Sequence, residues 1–365
     1  MYDGPIIDAH IHLWDPRTTP RTASPLVRGL GWNERLLRRA AQRLVPDASL
    51  AFVGRPDQVL NPYLPGTWWN ETDGADVRGF VHVQADWQSK TAMGQVEETR
   101  WLESVCGRDL LALVGNADLA DPRLDAVLDA HCEASGRFRG IRDYLAHGGD
   151  DEGLASFADS PDRLAQHAWR RGFDRLGARG LTFDAWAYGH QLDDVAELVA
   201  DHPGTPVVLC HAGSPVGVGG PFAAAGRTES DRQAVLDRWR DDLAAVAAHD
   251  HVHVKLSGLA MPISGWGWHE RVTPPGVEEV ADALGPLVEH VLATFGPSRT
   301  MAASNFPMDR VSLRWTTWFD ALDRLTASHP EHDRRAIFHD TAATFYRIDQ
   351  PAPDPTRTTP PGGES

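Results

Sequence analysis

Short apolar runs punctuate this chain at regular intervals, and between them apolar residues recur with the spacing of a helix face. The first run starts at Ile6 and ends in His10 and His12; the others fall at residues 79–84, 110–115, 138–142, 181–186, 206–211, 252–257 and 300–305. Each has the length and apolar continuity of a strand covered on both sides. Helical patterns occupy 92–106, 122–135, 161–178, 191–201, 229–248, 277–295 and 314–328, and a last one covers 332–346. Eight strand-then-helix units in 365 residues predict an α/β chain folded as a (β/α)8 TIM barrel over residues 1–350, in preference to an open doubly wound sheet. Residues 16–76 break the rhythm with arginine and proline, one helical stretch at 33–44 and an aromatic turn at 63–70. That is too long for a plain connection, and is expected to be an insertion covering the active-site end. The proline- and glycine-rich tail, 351–365, has nothing to bury and is expected to be disordered.

Polar residues interrupt the predicted strands mainly at their C-terminal ends. His10 and His12 close the first strand, and their i, i+2 spacing puts both on one face; inside a barrel they converge on one point, fit to hold a metal or a polarised substrate atom. Gln84 closes the second strand with Asp86 just beyond it, Arg142 and Asp143 the fourth, and Asp184 lies near the end of the fifth. His211 closes the sixth, Lys255 and Ser257 the seventh, Ser304 and Asn305 the eighth. One such residue is ordinarily a cap or a solvated side chain, but in a barrel all of these ends rise to the rim where barrel enzymes keep their chemistry. The period of two sends Val254 and Leu256 toward the helices and Lys255 into the lumen, where it needs a carboxylate partner, Asp184 or Asp86. Trp14, Trp87, Trp186, Trp266 and Trp268 follow strands, and Trp68 and Trp69 sit in the insertion. As single residues they are loop packing; as a group they suggest an aromatic mouth for a flat or extended apolar substrate, with Trp14 and Trp186 against it.

Composition narrows the partners. A formal charge of −16 argues against nucleic acid or an anionic membrane surface and leaves a small molecule. Lysine is confined to Lys90 and Lys255. Cys106, Cys132 and Cys210 are far apart and cannot all pair, which fits a reducing compartment. The first residues lack the basic and apolar regions of a secretion signal, and no run has the length of a membrane span, so a cytoplasmic protein is expected. Barrels of this kind often self-associate, which leaves a homo-oligomer open.

The motifs Asp8-Ala9-His10-Ile11-His12-Leu13-Trp14-Asp15, Val81-His82-Val83-Gln84-Ala85, Phe138-Arg139-Gly140-Ile141-Arg142, Leu181-Thr182-Phe183-Asp184, His190-Gln191-Leu192, Val208-Leu209-Cys210-His211-Ala212-Gly213, Val254-Lys255-Leu256-Ser257-Gly258-Leu259 and Ala303-Ser304-Asn305-Phe306-Pro307 stand in order along the chain. In these the sequence resembles the amidohydrolase-2 branch of the amidohydrolase superfamily, in particular its lactonase-like members. The resemblance implies hydrolysis or decarboxylation of a small carboxylate-bearing molecule on the barrel rim. It makes His10 and His12 ligands of a divalent metal or groups that polarise the substrate carbonyl, His211 an acid/base or electrophile, and Arg142 a bidentate carboxylate holder. Two departures stand out. The family's strand-8 aspartate, the base that activates water, is Asn305 here, and an amide is not a useful base at neutral pH. The strand-5 histidine of the metal-dependent members is replaced by Asp184, so the expectation is a weak zinc site on His10 and His12, or none, with Asp184 still able to act as a carboxylate ligand.

Three functions follow. The first is a lactonase-type hydrolase of a carboxylate-bearing lactone, ester or amide, in which His10 and His12 polarise a carbonyl, Arg142, Lys255 and Gln84 hold polar groups, and His211 or Asp184 replaces the missing base. The second is a non-oxidative decarboxylase or other lyase on the same fold. The third is a catalytically silent barrel that binds a ligand.

Overall fold

The computed structural model describes residues 1–72 and 74–349; the tail expected to be disordered lies outside them. The strands are β1 (Ile6–Ile11), β2 (Val77–Val83), β3 (Leu110–Gly115), β4 (Phe138–Ile141), β5 (Thr182–Ala185), β6 (Val207–Leu209), β7 (Val252–Leu256) and β8 (Thr300–Ala302). They pair in parallel in sequence order. The circle closes between the end of β8 and β1: Asn305 N–H donates to the His10 carbonyl (2.8 Å), and His12 N–H to the Phe306 carbonyl (2.7 Å). The result is a nearly closed TIM barrel.

Helices α1 (Ser24–Leu30), α2 (Glu34–Leu44), α3 (Asp47–Val53), α4 (Asp57–Leu60) and α5 (Pro65–Glu71) all lie between β1 and β2. The insertion is therefore more helical than the single stretch its periodicity predicts, because four of the five helices have seven residues or fewer, too few to display a repeat. Thereafter each strand is followed by its helix: α6 (Val96–Cys106), α7 (Leu124–Ala134), α8 (His167–Ala178), α9 (Leu192–Asp201), α10 (Glu229–Ala247), α11 (Val277–Phe295) and α12 (Trp315–Thr326). The chain ends in α13 (Glu331–Arg335), a π-helical turn and α14 (Thr341–Phe345).

Two apolar layers follow from strand alternation. Ile6, Phe80, Leu113, Phe183, Val207, Val254 and Leu256 face the helices, while Ile7, Ala9, Val81, Val83, Val114, Val208, Met301 and Ala303 fill the lumen together with Phe345 and Tyr346. Phe345 also packs on His253 at the start of β7, so the C-terminal helix stops the N-terminal end of the barrel. In β1 the alternation is broken. Asp8 pairs with Phe80 and Ile11 with His82, so three steps on β1 match two on β2. This bulge turns Ile11 outward, where simple alternation from Ile7 and Ala9 would put it inside, and gives His10 and His12 the lumen. The Asp8 carboxylate, buried behind the bulge, accepts from Ser304 N–H (2.8 Å) and from the indoles of Trp68 (3.2 Å) and Trp315 (2.8 Å), tying β1 to β8, the insertion and α12.

Candidate active site

The lumen side chains fall into a deep tier and a mouth tier. In the deep tier Lys255 and Asp184, both 0% exposed, form an ion pair, Nζ to Oδ2, of 2.6 Å. The Tyr346 hydroxyl donates to the same carboxylate (2.9 and 3.0 Å), and the Cys210 thiol lies 3.9 Å from it. Burial first, then nearby Asp184, holds the Tyr346 phenol well above its usual range, so it stays a donor. Lys255 Nζ also lies 3.3 Å from His10 Nδ1; His10 Nε2 lies 3.2 Å from His12 Nε2; and His12 Nδ1 is 2.8 Å from the Val83 carbonyl oxygen.

The ends of this chain fix its protons. A carbonyl can only accept, so His12 carries its hydrogen on Nδ1 and presents a bare Nε2. An ammonium can only donate, so His10 accepts at Nδ1 and donates from Nε2 to His12. Both rings are held neutral, their affinity for a second proton pushed far down by burial and then by the cations Lys255 and Arg142.

The mouth tier borders a cavity of about 420 Å³ lined by His12, Trp14, Arg142, Tyr144, Trp186, His211 and Asn305. Its far wall is apolar and comes from the insertion, including Leu26, Val45, Leu50, Phe52, Val53 and Leu60. Arg142 lies over the rings of Tyr144 and Trp186 at 5.8 and 5.6 Å, and one terminal N–H reaches the Gln84 carbonyl oxygen at 2.5 Å. Among the described residues no carboxylate pairs with it. Its neighbour Asp143 is taken by Arg163 (2.8 Å) and the Trp169 indole (2.7 Å). Arg21, the other cation on the wall, is committed to Glu98 at 2.6 Å.

His211 Nδ1 is 2.9 Å from the Ser257 hydroxyl. Its ring is held neutral, chiefly by burial and then by Arg142. His211, Ala212 and Ser214 all have left-handed backbone, φ 57°, 48° and 45°, and Asn305 does too, at 57°. Such backbone in residues with a Cβ costs of order 1–3 kcal/mol each and persists where surrounding structure imposes it, commonly at active sites. Arg142 Nε, Trp186 Nε1 and Gln84 Nε2 have no hydrogen-bond partner among the described residues, and the Asn305 amide stands against His12 and the Asp309 carboxyl without a well-formed hydrogen bond to either. Buried donors are nearly always paired, so the mouth is built for something that brings acceptors.

Of the residues predicted from the sequence, His12, His211, Arg142, Asn305, Trp14 and Trp186 meet at the cavity. His10 lies one ring deeper. Asp184 and Lys255 lie deeper still and neutralise each other, so Asp184 is no base for water at the mouth and Lys255 is no anchor for a substrate anion. Asp86 is not the partner of Lys255; it accepts from Thr22 on the exposed edge of the same cavity. Gln84 stands behind Tyr144, whose hydroxyl donates to it (3.1 Å). The aromatic mouth shrinks to Trp14 and Trp186. Trp68 packs on Phe80, Trp69 against Trp68, Trp87 under Arg21, and Trp266 on Trp268, each filling a loop as single residues do. The insertion covers the cavity as its length predicts, but which of its residues form the wall, and the roles of Tyr144 and Tyr346, were not read from the sequence; Tyr346 meets Asp184 across 162 residues.

The amidohydrolase-2 family signature, described as Amidohydrolase, matches residues 7–348, nearly the whole barrel. The chain belongs to this family. Among its relatives, uncharacterized protein y4mH of Sinorhizobium fredii is 29% identical over 350 residues, 95% of this chain and 100% of that protein. An L-fucono-1,5-lactonase of Burkholderia multivorans is 30% identical over 286 residues, 75% of this chain and 85% of the enzyme. An amidohydrolase from Burkholderia multivorans with bound HEPES superposes with a TM-score of 0.70 at 24% identity, covering 95% of this chain and 100% of that one; its zinc-bound form gives 0.68 at 23%. These two establish the fold.

Zinc in that relative raises the question of metal here. His10, Asp184 and Cys210 offer donor atoms within 4.8 Å of one another, a grouping dense enough for an ion. The chemistry of the set does not fit one. Lys255 Nζ is already among these donors, bonded to Asp184 and His10. The other pair, His10 and His12, has its facing nitrogens joined by a hydrogen bond, and the His10 nitrogen carries the proton.

Proposed function

We propose that this member of the family is a hydrolase that opens a lactone, or a related ester or amide, bearing both a carboxylate and an extended apolar body. The observation that carries the reading is the mouth: an arginine without a carboxylate partner, an unpaired N–H donor on Trp186, the Asn305 amide and a neutral histidine, all at one end of a largely apolar cavity. The curated relatives that are L-fucono-1,5-lactonases support ring-opening hydrolysis as the reaction class. The apolar wall supports a substrate different from theirs, since a polyhydroxylated sugar lactone would lose hydrogen bonds to water there without replacement.

In this reading Arg142 holds the substrate carboxylate, its planar fork steadied by Tyr144 and Trp186. The Asn305 amide donates to the carbonyl oxygen, where negative charge develops. His211, oriented through Nδ1 by Ser257, takes a proton at Nε2 from water as the water oxygen bonds to the carbonyl carbon. When the tetrahedral adduct collapses, the bond to the ring oxygen breaks and His211 returns the proton to it, giving the hydroxy acid. The test is a panel of aryl- and alkyl-substituted lactones with and without a carboxylate, alongside sugar lactones, followed by acid release and by incorporation of labelled water oxygen. Carboxylate-bearing apolar lactones should be turned over best. Release of carbon dioxide in place of label uptake would refute hydrolysis, and a preference for sugar lactones would refute the substrate class.

A further inference from the structure

We propose that the Lys255 ammonium serves as the resident cation of this barrel. Held by Asp184, it dictates which nitrogen of His10 carries the proton and thereby keeps the histidine pair from ligating a metal. The argument is independent of which bond the enzyme cleaves.

Four observations join. Lys255 is wholly buried, and it reaches a carboxylate on β5 at 2.6 Å and an imidazole on β1 at 3.3 Å. Asp184 is held by the Tyr346 hydroxyl as well, so it cannot swing away without leaving a buried hydroxyl unpaired. The ammonium stands among the donor atoms of His10, Asp184 and Cys210, and a divalent ion there would have to displace it. Finally, a metal shared by His10 Nε2 and His12 Nε2 needs both nitrogens bare. His10 would then carry its hydrogen on Nδ1, aimed at the N–H bonds of Lys255 only 3.3 Å away, donor against donor. Lys255 thus acts as a positioning residue on His12: it sets His10, and His10 holds the His12 ring that borders the cavity.

The test uses zinc itself and has two arms. In the first, the native protein and the Lys255→Met and Lys255→Arg variants, freed of metal, compete with a chromophoric chelator for zinc. Lys255→Met should gain one zinc equivalent with affinity raised about 10- to 100-fold, the scale on which a neighbouring group tunes a metal site; Lys255→Arg, which keeps the charge, should gain none. Cobalt in Lys255→Met should give a thiolate-to-metal absorption band that disappears when Cys210→Ser is added. In the second arm, nitrogen-15 spectra of the native protein should show His10 protonated on Nε2 and His12 on Nδ1, unchanged by one equivalent of zinc. The proposal is overturned if native protein binds one zinc with shifts at His10 and His12, if His10 carries its hydrogen on Nδ1, or if folded Lys255→Met binds zinc no better than native protein. Should Lys255→Met fail to fold, the native spectra decide.

Discussion

Gly258, just after β7, has φ +67°, and a Cβ built on it would lie 2.5 Å from His211 Cγ and 2.6 Å from its Cβ and Nδ1. Gly258→Ala therefore acts on His211 directly. Ordinary contact begins near 3.4 Å, so the imidazole must retreat by about 1 Å, and misplacement on that scale can cost on the order of 10²-fold in rate. The left-handed backbone adds about 1–2 kcal/mol of destabilisation for a residue with a Cβ, and overpacking about 1–3 kcal/mol more. Gly267 separates the two effects: it has the same φ of +67° but open space where its Cβ would go. Gly267→Ala should lose only the backbone part of the stability and keep its activity, whereas Gly258→Ala should lose more stability and about a hundredfold in kcat/KM, mostly through kcat. Urea denaturation and steady-state kinetics on the best substrate of the lactone panel measure both. If Gly258→Ala keeps the kcat/KM of Gly267→Ala, His211 does not carry the chemistry assigned to it.

Arg142→Lys should raise KM for carboxylate-bearing lactones about tenfold or more while leaving their uncharged analogues unchanged, because the charge stays but the planar fork and its stacking are lost; equal effects on both would remove Arg142 from carboxylate binding. Asn305→Asp should lower kcat/KM for an anionic substrate, since a new charge would sit beside His12 and the buried carboxyl of Asp309, and higher turnover would instead restore the ordinary strand-8 base to the mechanism. Asp309, whose carboxyl burial pushes up to about 8, keeps its proton in the folded chain between roughly pH 4 and 8 while the unfolded chain loses it, so it makes stability fall as pH rises across that range. Asp309→Asn keeps an acceptor for Gly258 N–H, 2.9 Å away, and should flatten that decline in melting temperature; an unchanged slope would show that another group causes it.

The sequence carried the barrel because its strands are buried on both faces and end in polar residues, a pattern that few other folds produce at this length. It carried the placement of Lys255 for the same reason, since Val254 and Leu256 could only face helices. It could relate His10 to His12 but not say which face they share, because the β1 bulge lies in the pairing with β2 and has no signature in β1 alone. The cavity wall was hidden in helices too short to show a period. The tryptophans misled for a further reason: position after a strand says that a residue is near the rim, but an indole finds a ring or a carboxylate to pack on before it finds a mouth. Asp8 illustrates this, drawing Trp68 from the insertion and Trp315 from α12 onto one carboxylate oxygen.

Two departures from the family pattern, read separately in the sequence, belong together in the fold. An aspartate at position 305 would put negative charge at the mouth, where the proposed substrate carboxylate binds; the amide removes it. Asp184 puts a negative charge at the depth of the barrel instead, where Lys255 compensates it at 2.6 Å and the Tyr346 hydroxyl donates to it. The deep tier is then neutral, and the three histidines above it are neutral as well. Among the described residues Arg142 is left as the cation on the cavity without a carboxylate partner, while Asp86 lines the same cavity with its oxygens held by Thr22 and Gln88; in surroundings of low polarity a positive centre acts over a longer range than in water. A chain with a formal charge of −16 repels anions over most of its surface. In the proposed reaction the guanidinium is the group that offsets this field for a substrate carboxylate, and the pairing of Asp184 with Lys255 keeps a second negative charge from opposing it.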